Sequence, residues 1–163
     1  MVTHEQAAKS RHERINMDIT KFELRDSISV PDYNDLRRSV DFIEIRENRA
    51  STALANALYK VIAYDGDRPV GMTRVVGDGG YVYFICDVIV RPDYQSQGLG
   101  RLLIENTLHW LEGQVEPGET IMVNLMSAMG KESFYEKLGF HNRPFGNHGA
   151  GMSRWIEGDK IKG

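Results

Sequence analysis

Val88-Ile89-Val90-Arg91-Pro92-Asp93-Tyr94-Gln95-Ser96-Gln97-Gly98-Leu99-Gly100-Arg101 is the most informative junction in the chain. Upstream of it, Tyr81 to Val90 is rich in Val, Ile, Tyr and Phe, and continuous enough to predict a central strand buried on both faces. Downstream, Leu99, Leu102, Leu103, Thr107, Trp110 and Leu111 recur at helical spacing, which predicts an amphipathic helix from Gly98 to about Gly113. A strand that feeds a tight polar turn and then a helix aims several free N–H groups at one spot, with the positive end of the helix dipole behind them. Such a spot attracts phosphate. Gly98 and Gly100 let the backbone approach a pyrophosphate without a Cβ in the way, and Arg101 adds a charged contact from the first turn. The spacing alone is equally compatible with a helix that merely begins in a glycine-rich loop. Two better-known phosphate motifs are absent: there is no GxxxxGK followed by Ser or Thr, and the third glycine of GxGxxG is missing.

Working outward, Ile19 to Ile28 alternates and contains Phe22 and Leu24, predicting a first strand, and Pro31 to Val40 reads as a helix opened by proline. Asn48 to Leu58 is Ala- and Leu-rich and helix-prone, changing to a strand near Leu58 that runs from Tyr59 to Tyr64. Asp65-Gly66-Asp67 is a turn signal, and Val70 to Val76 returns as the second strand of a hairpin. Beyond the long helix, Thr120 to Leu125 reads as a strand and Lys131 to Leu138 as a short helix closed by Gly139. Met152 to Ile156 reads as a last strand. The order is antiparallel hairpins followed by strand, helix, strand, helix, strand: a mixed α/β domain. Residues 1–18 are read as a polar N-terminal extension and residues 19–163 as one domain, with Met1 and Met17 both open as the natural start.

Composition narrows the function. The chain has 163 residues, 20 Lys and Arg against 23 Asp and Glu, and 16 glycines. A net charge of −3 offers no broad footprint for nucleic acid. Cys86 is the single cysteine, which excludes an intramolecular disulfide and a multi-cysteine metal cage, so no metal is expected. No apolar run reaches the roughly 18 to 20 residues of a membrane span, and the first residues lack a signal-peptide core. The expected location is the cytoplasm.

With these residues in view, the sequence resembles the GCN5-related N-acetyltransferase (GNAT) superfamily. Gln95-Ser96-Gln97-Gly98-Leu99-Gly100 fits its signature of Gln or Arg, two residues, Gly, one residue, then Gly or Ala, after a strand ending in Val-Arg-Pro. Phe134-Tyr135-Glu136-Lys137-Leu138-Gly139-Phe140 fits its second hallmark, and the likeness spans about Ile19 to Ile156. The resemblance implies an α/β (α+β) fold with a mixed, mostly antiparallel sheet of six to seven strands and about four helices, its central strands splayed into a CoA cleft. It implies acetyl-CoA as donor, with the pyrophosphate on the N–H groups of Gln95, Ser96, Gln97, Gly98, Leu99, Gly100 and Arg101. The pantetheine arm would pair with main-chain groups at Val88 and Val90, and the thioester would lie beside Asp87 to Ile89.

The resemblance also nominates catalytic groups. Tyr135 matches the tyrosine that protonates or holds the leaving thiolate; core packing is its alternative role. Phe84 stands where histone-type members carry glutamate, so that base cannot be carried over. Asp87 is the nearest carboxylate, to bind or deprotonate the amine, or else to hydrogen-bond nearby backbone. His148 is an outside candidate, and Cys86 as a covalent carrier is set against direct transfer and a small core residue. Ala128 and Lys131 replace the asparagine and alanine usual in this region, so Lys131, Ser133 and Asn124 are the remaining expected contacts for the arm. Arg37, Arg38, Arg46 and Arg49 either bind an acceptor carboxylate or line a solvated helix face. The expected acceptor is a primary amine of a small molecule or amino acid, with a protein or peptide acetyltransferase and a non-catalytic acyl-CoA sensor as rivals. Monomer and homodimer both stay open.

Overall fold

The computed structural model describes residues 21–158. The expected N-terminal extension, and the Ile19 end of the first expected strand, lie outside them. The described residues fall into two compact units, one up to Met126 and the other from Ser127.

The first unit is a sheet of five strands in the order of the chain: β1 (Glu23–Arg25), β2 (Tyr59–Asp65), β3 (Arg68–Gly77), β4 (Val82–Val90) and β5 (Met122–Leu125). The first four pair antiparallel, β2 and β3 through the expected Asp65–Asp67 turn, whereas β5 runs parallel to β4. A parallel neighbour needs a crossover, which α3 (Leu99–Glu112) provides. Its buried residues Leu99, Leu103, Ile104, Thr107 and Leu111 fall on one stripe, as the leucine spacing predicts. Leu99 and Leu103 pack with Val61, Ala63 and Val70 of the sheet. Thr107 meets Thr73 hydroxyl to hydroxyl at 3.1 Å and donates to Leu103 O, so this buried polar pair is satisfied. Gly71 lets helix and sheet close up: a Cβ there would lie 2.9 Å from Ile89 O and 3.0 Å from Leu103 Cδ1.

Two short helices, α1 (Val30–Arg38) and α2 (Glu47–Ala55), pack through Tyr33, Leu36, Ala50 and Leu54 against Ile62, Met72 and Ile89. Ser29 caps α1 by accepting from the Asp32 N–H at 3.2 Å, with Pro31 in the first turn where its missing N–H costs nothing.

The second unit holds α4 (Glu132–Glu136), closed by Gly139 at φ +91°, as the sequence suggests. Two expectations need correction. Met152 to Ile156 forms no strand; Trp155 is 78% exposed and Met152 92%, so the described residues contain five strands rather than six or seven. Strand β4 is not buried on both faces either, because Phe84, Cys86 and Val88 are only half-buried. An apolar run signals burial in general but not an interruption of pairing. No helix among the described residues is long and apolar enough to cross a membrane.

Candidate active site

Strand β4 departs from regularity at Asp87. Met72 faces Ile89 and Arg74 faces Cys86, so β3 advances two residues while β4 advances three, and Asp87 takes φ +50°. This is a β-bulge, with a non-glycine residue in the left-handed region. The extra residue reverses which side chains face which layer. Tyr83 packs against Trp110 of α3, whereas Ile89 belongs to the cluster beneath α1 and α2.

The same stretch loses its parallel partner. Pairing with β5 stops at Ile85 opposite Leu125, leaving Cys86 to Val90 with no strand on that edge among the described residues. The Arg91 N–H donates to Val70 O across the β3 edge. By alternation, the main-chain groups of Val90 and Val88 therefore face the open edge. Gln95 closes one of them, its amide donating to Val90 O at 2.9 Å. Asn124 lies opposite Phe84, one pair before the pairing ends, and its side chain meets no partner among the described residues.

Beyond the strand, a 3-10 turn at Pro92–Tyr94 leads to Ser96 at φ +58° and Gly98 at φ +81°, the N-cap of α3. Gly98 carries no capping side chain. Among the described residues the N–H groups of Ser96, Gln97, Gly98, Leu99, Gly100 and Arg101 meet no acceptor, and the helical ladder begins only with Leu102 N–H to Gly98 O. Six consecutive free donors at a helix N-terminus make an anion-binding concavity. The Gln97 side chain braces it by donating to Asp93 O at 2.9 Å, and Arg101 pairs with Glu105 on the exposed face at 2.7 Å. Together, the open edge and the donor turn fit an extended arm that ends in a pyrophosphate.

Asp87 occupies a different environment. Its Oδ2 accepts from Tyr33 Oη at 2.6 Å and Arg74 Nε at 2.9 Å, and its Oδ1 from Arg37 Nη1 at 2.6 Å. The carboxylate is 7% exposed. Burial, then the bond to Asp87, pushes the Tyr33 hydroxyl up to about 12. Burial likewise pushes the Cys86 thiol up to about 11, so it is protonated near neutrality and poorly suited to carry an acetyl group. Arg37 does not line a solvated face; it turns inward and also donates through Nε and Nη2 to Ile43 O. Arg38 and Arg49 are solvated as the sequence allows. Tyr33 and Arg74 escape the sequence reading, although a carboxylate in an apolar strand demands buried partners, and Arg74 is the lone charge inside Val70 to Val76.

In the second unit, Tyr135 is buried against Phe134 and Phe140, with ring centroids 5.0 and 6.1 Å away. Burial raises its pKa above the usual tyrosine value, and its hydroxyl, still reached by solvent, has no partner among the described residues. Lys131 and Ser133 flank the start of α4, and both are exposed. His148 stacks on Phe145 at 5.1 Å.

A family profile described as an acetyltransferase (GNAT) domain matches residues 56–142, more than half of the chain. The chain belongs to the GNAT acetyltransferase family. It is 32% identical over 127 residues to a ycf52-like N-acetyltransferase, itself uncharacterized, of Prochlorococcus marinus, covering 68% of each. The ycf52 N-acetyltransferase of Pyropia yezoensis, also uncharacterized, is 38% identical over 80 residues, or 49% of this chain, and the chain spans only 44% of that relative's length. Among solved structures, a probable acetyltransferase from meticillin-resistant Staphylococcus aureus superposes with a TM-score of 0.73 at 30% identity, covering 82% of this chain and 99% of that one. The GNAT architecture that the resemblance implies is therefore shown, with fewer strands than expected.

Proposed function

We propose that this protein transfers an acetyl group directly from acetyl-CoA to a primary amine of a small molecule or amino acid. The observation that carries the reading is the unpaired edge of Val88 to Val90 running straight into the six free N–H groups of Ser96 to Arg101. The edge would pair with the pantetheine arm as an added strand does, and the turn would hold the pyrophosphate. When bound, acetyl-CoA supplies the activated acetyl group as a thioester beside the Asp87 bulge.

The acceptor must reach the site as a free amine. Its nitrogen forms the new C–N bond while the C–S bond breaks, the amine proton goes to water, and the sulfur takes a proton. Tyr135 is the proposed donor of that last proton: its hydroxyl is protonated across neutral pH and unengaged. Asp87 is assigned a positioning role, since both of its oxygens already accept strong hydrogen bonds.

An acetyl-CoA thiol-release assay over amines, amino acids and peptides tests the proposal. Turnover is expected on free amines. Tyr135→Phe should lower kcat about a hundredfold with the KM for acetyl-CoA little changed. Full turnover in that variant when chemistry is rate-limiting would remove Tyr135 as the acid, and turnover on peptides alone would make the acceptor a protein.

A further inference from the structure

The charges around Asp87 do not balance. Arg37 and Arg74 both bond the one carboxylate, and their side chains are only 13% and 12% exposed. Among the described residues neither guanidinium pairs with a second carboxylate. The other ionisable neighbours, Tyr33 and Cys86, are neutral near pH 7, because burial has pushed the first up to about 12 and the second up to about 11. The rest of the layer beneath α1 and α2 is apolar, with Leu36, Leu54, Ile62 and Met72. One positive charge is left in excess in a largely dry place, which is costly unless an anion joins it.

The hydrogen bonds locate that excess. Arg37 has all three nitrogens engaged, with Nη1 on Asp87 and both Nε and Nη2 on Ile43 O. Arg74 spends Nε on Asp87 and Nη1 on Ala53 O, at 2.9 and 3.1 Å. Its Nη2 has no acceptor among the described residues and is reached by solvent. Arg74 also faces Cys86 across the β3–β4 ladder, at the point where the open edge of β4 begins. A guanidinium with two nitrogens held and the third free is already oriented for a further acceptor.

We propose that Arg74 Nη2 is the anchor of an acceptor subsite for a carboxylate, so that the protein's amine substrates are amino acids or similarly anionic amines. The subsite rests on the proposed acetyl transfer and specifies its substrate class. Arg74 meets the carboxylate beside the bulge, Asp87 and Ala53 O fix the guanidinium plane, and the acceptor's amine is left on the side of the open edge. Anionic substrates thereby supply the charge that the cluster lacks.

The test compares acceptors with the same amine but different carboxyl ends: amino acids, their carboxamides and the corresponding decarboxylated amines, with acetyl-CoA saturating. In the wild type, removing the carboxylate should lower kcat/KM by about 10- to 100-fold, the range of one hydrogen bond to a charged group. In Arg74→Gln the preference should shrink to within about twofold, and in Arg74→Lys it should partly return, since a point charge replaces the planar fork. If Arg74→Gln does not fold, the wild-type comparison decides alone. Wild-type turnover that is equal on amino acids and on their decarboxylated counterparts overturns the subsite and leaves acetyl transfer standing. Absence of thiol release with every amine overturns acetyl transfer itself, and the subsite with it.

Discussion

The donor turn at Ser96 to Arg101 and the charge cluster around Asp87 lie at the two ends of the same short stretch of β4, and they are built in opposite ways. The turn is six backbone N–H groups with no acceptor, held open by a glycine in a left-handed conformation. The cluster is one carboxylate with three strong donors, drawn from α1 and β3. One region is prepared for a partner through its backbone, while the other is nearly closed through its side chains. The first region should therefore govern ligand affinity, and the second should govern stability and the shape of the acceptor side.

The largest effect should come from Asp87→Ala. It leaves two buried guanidinium groups against each other and gives alanine a left-handed backbone, so denaturant unfolding should show a loss of about 3–5 kcal/mol. Asp87→Asn should cost less, because asparagine accepts the left-handed backbone and keeps one acceptor oxygen. Equal stability of Asp87→Ala and wild type would break the comparison at its closed end.

Next in size is Gly98→Val, where the left-handed N-cap costs about 1–2 kcal/mol of folding free energy. Its branched side chain would also enter the space the free N–H groups face, so acetyl-CoA binding should fall further than stability does. Unchanged affinity in a folded Gly98→Val variant would remove the turn as the binding feature.

Ser29→Ala should lower stability by about 1 kcal/mol in thermal or denaturant melts. It frays the first turn of the helix that carries Tyr33 and Arg37, and so loosens the cluster without touching it. The smallest effect concerns pH. Asp35 is held below the usual carboxylate range first by its hydrogen bond from Arg91, whose guanidinium is buried. The carboxylate ionises more readily folded than unfolded, so its contribution is present above the unfolded value of roughly 3.9 and is lost as pH falls through the lower folded value. Asp35 is half exposed, so the contribution stays under about 1 kcal/mol. The stability difference between wild type and Asp35→Asn should narrow on acidification below pH 4; a difference that widened there would reverse the assignment.

The same contrast explains what was legible in the sequence. The turn is local: strand, polar residues, glycine and a leucine stripe follow one another, so residues 88–112 could be placed from spacing alone. The cluster is not local, since Tyr33, Arg37, Arg74 and Asp87 are brought together only by sheet pairing and by the docking of α1. Helical spacing sets Arg37 on the stripe of Tyr33 and Leu36 but does not say which carboxylate it meets, and the bulge that turns Asp87 toward α1 leaves no residue-type signature, because a non-glycine takes the positive φ. Gly71 is similar: its need to lack a Cβ comes from Ile89 and Leu103, neither of them near it in sequence. At the other end of the chain, Met152 to Ile156 has strand-like composition but forms no ladder, and composition cannot supply a missing partner.

Acetyl-CoA titrated into the wild-type protein by calorimetry, beside Gly98→Val, tests the central claim most directly. The expected result is saturable binding of one molecule per chain to the wild type, lost or weakened at least about tenfold in the variant, the equivalent of 1.4 kcal/mol. Absence of binding to the folded wild-type chain, or equal binding by both proteins, would contradict it.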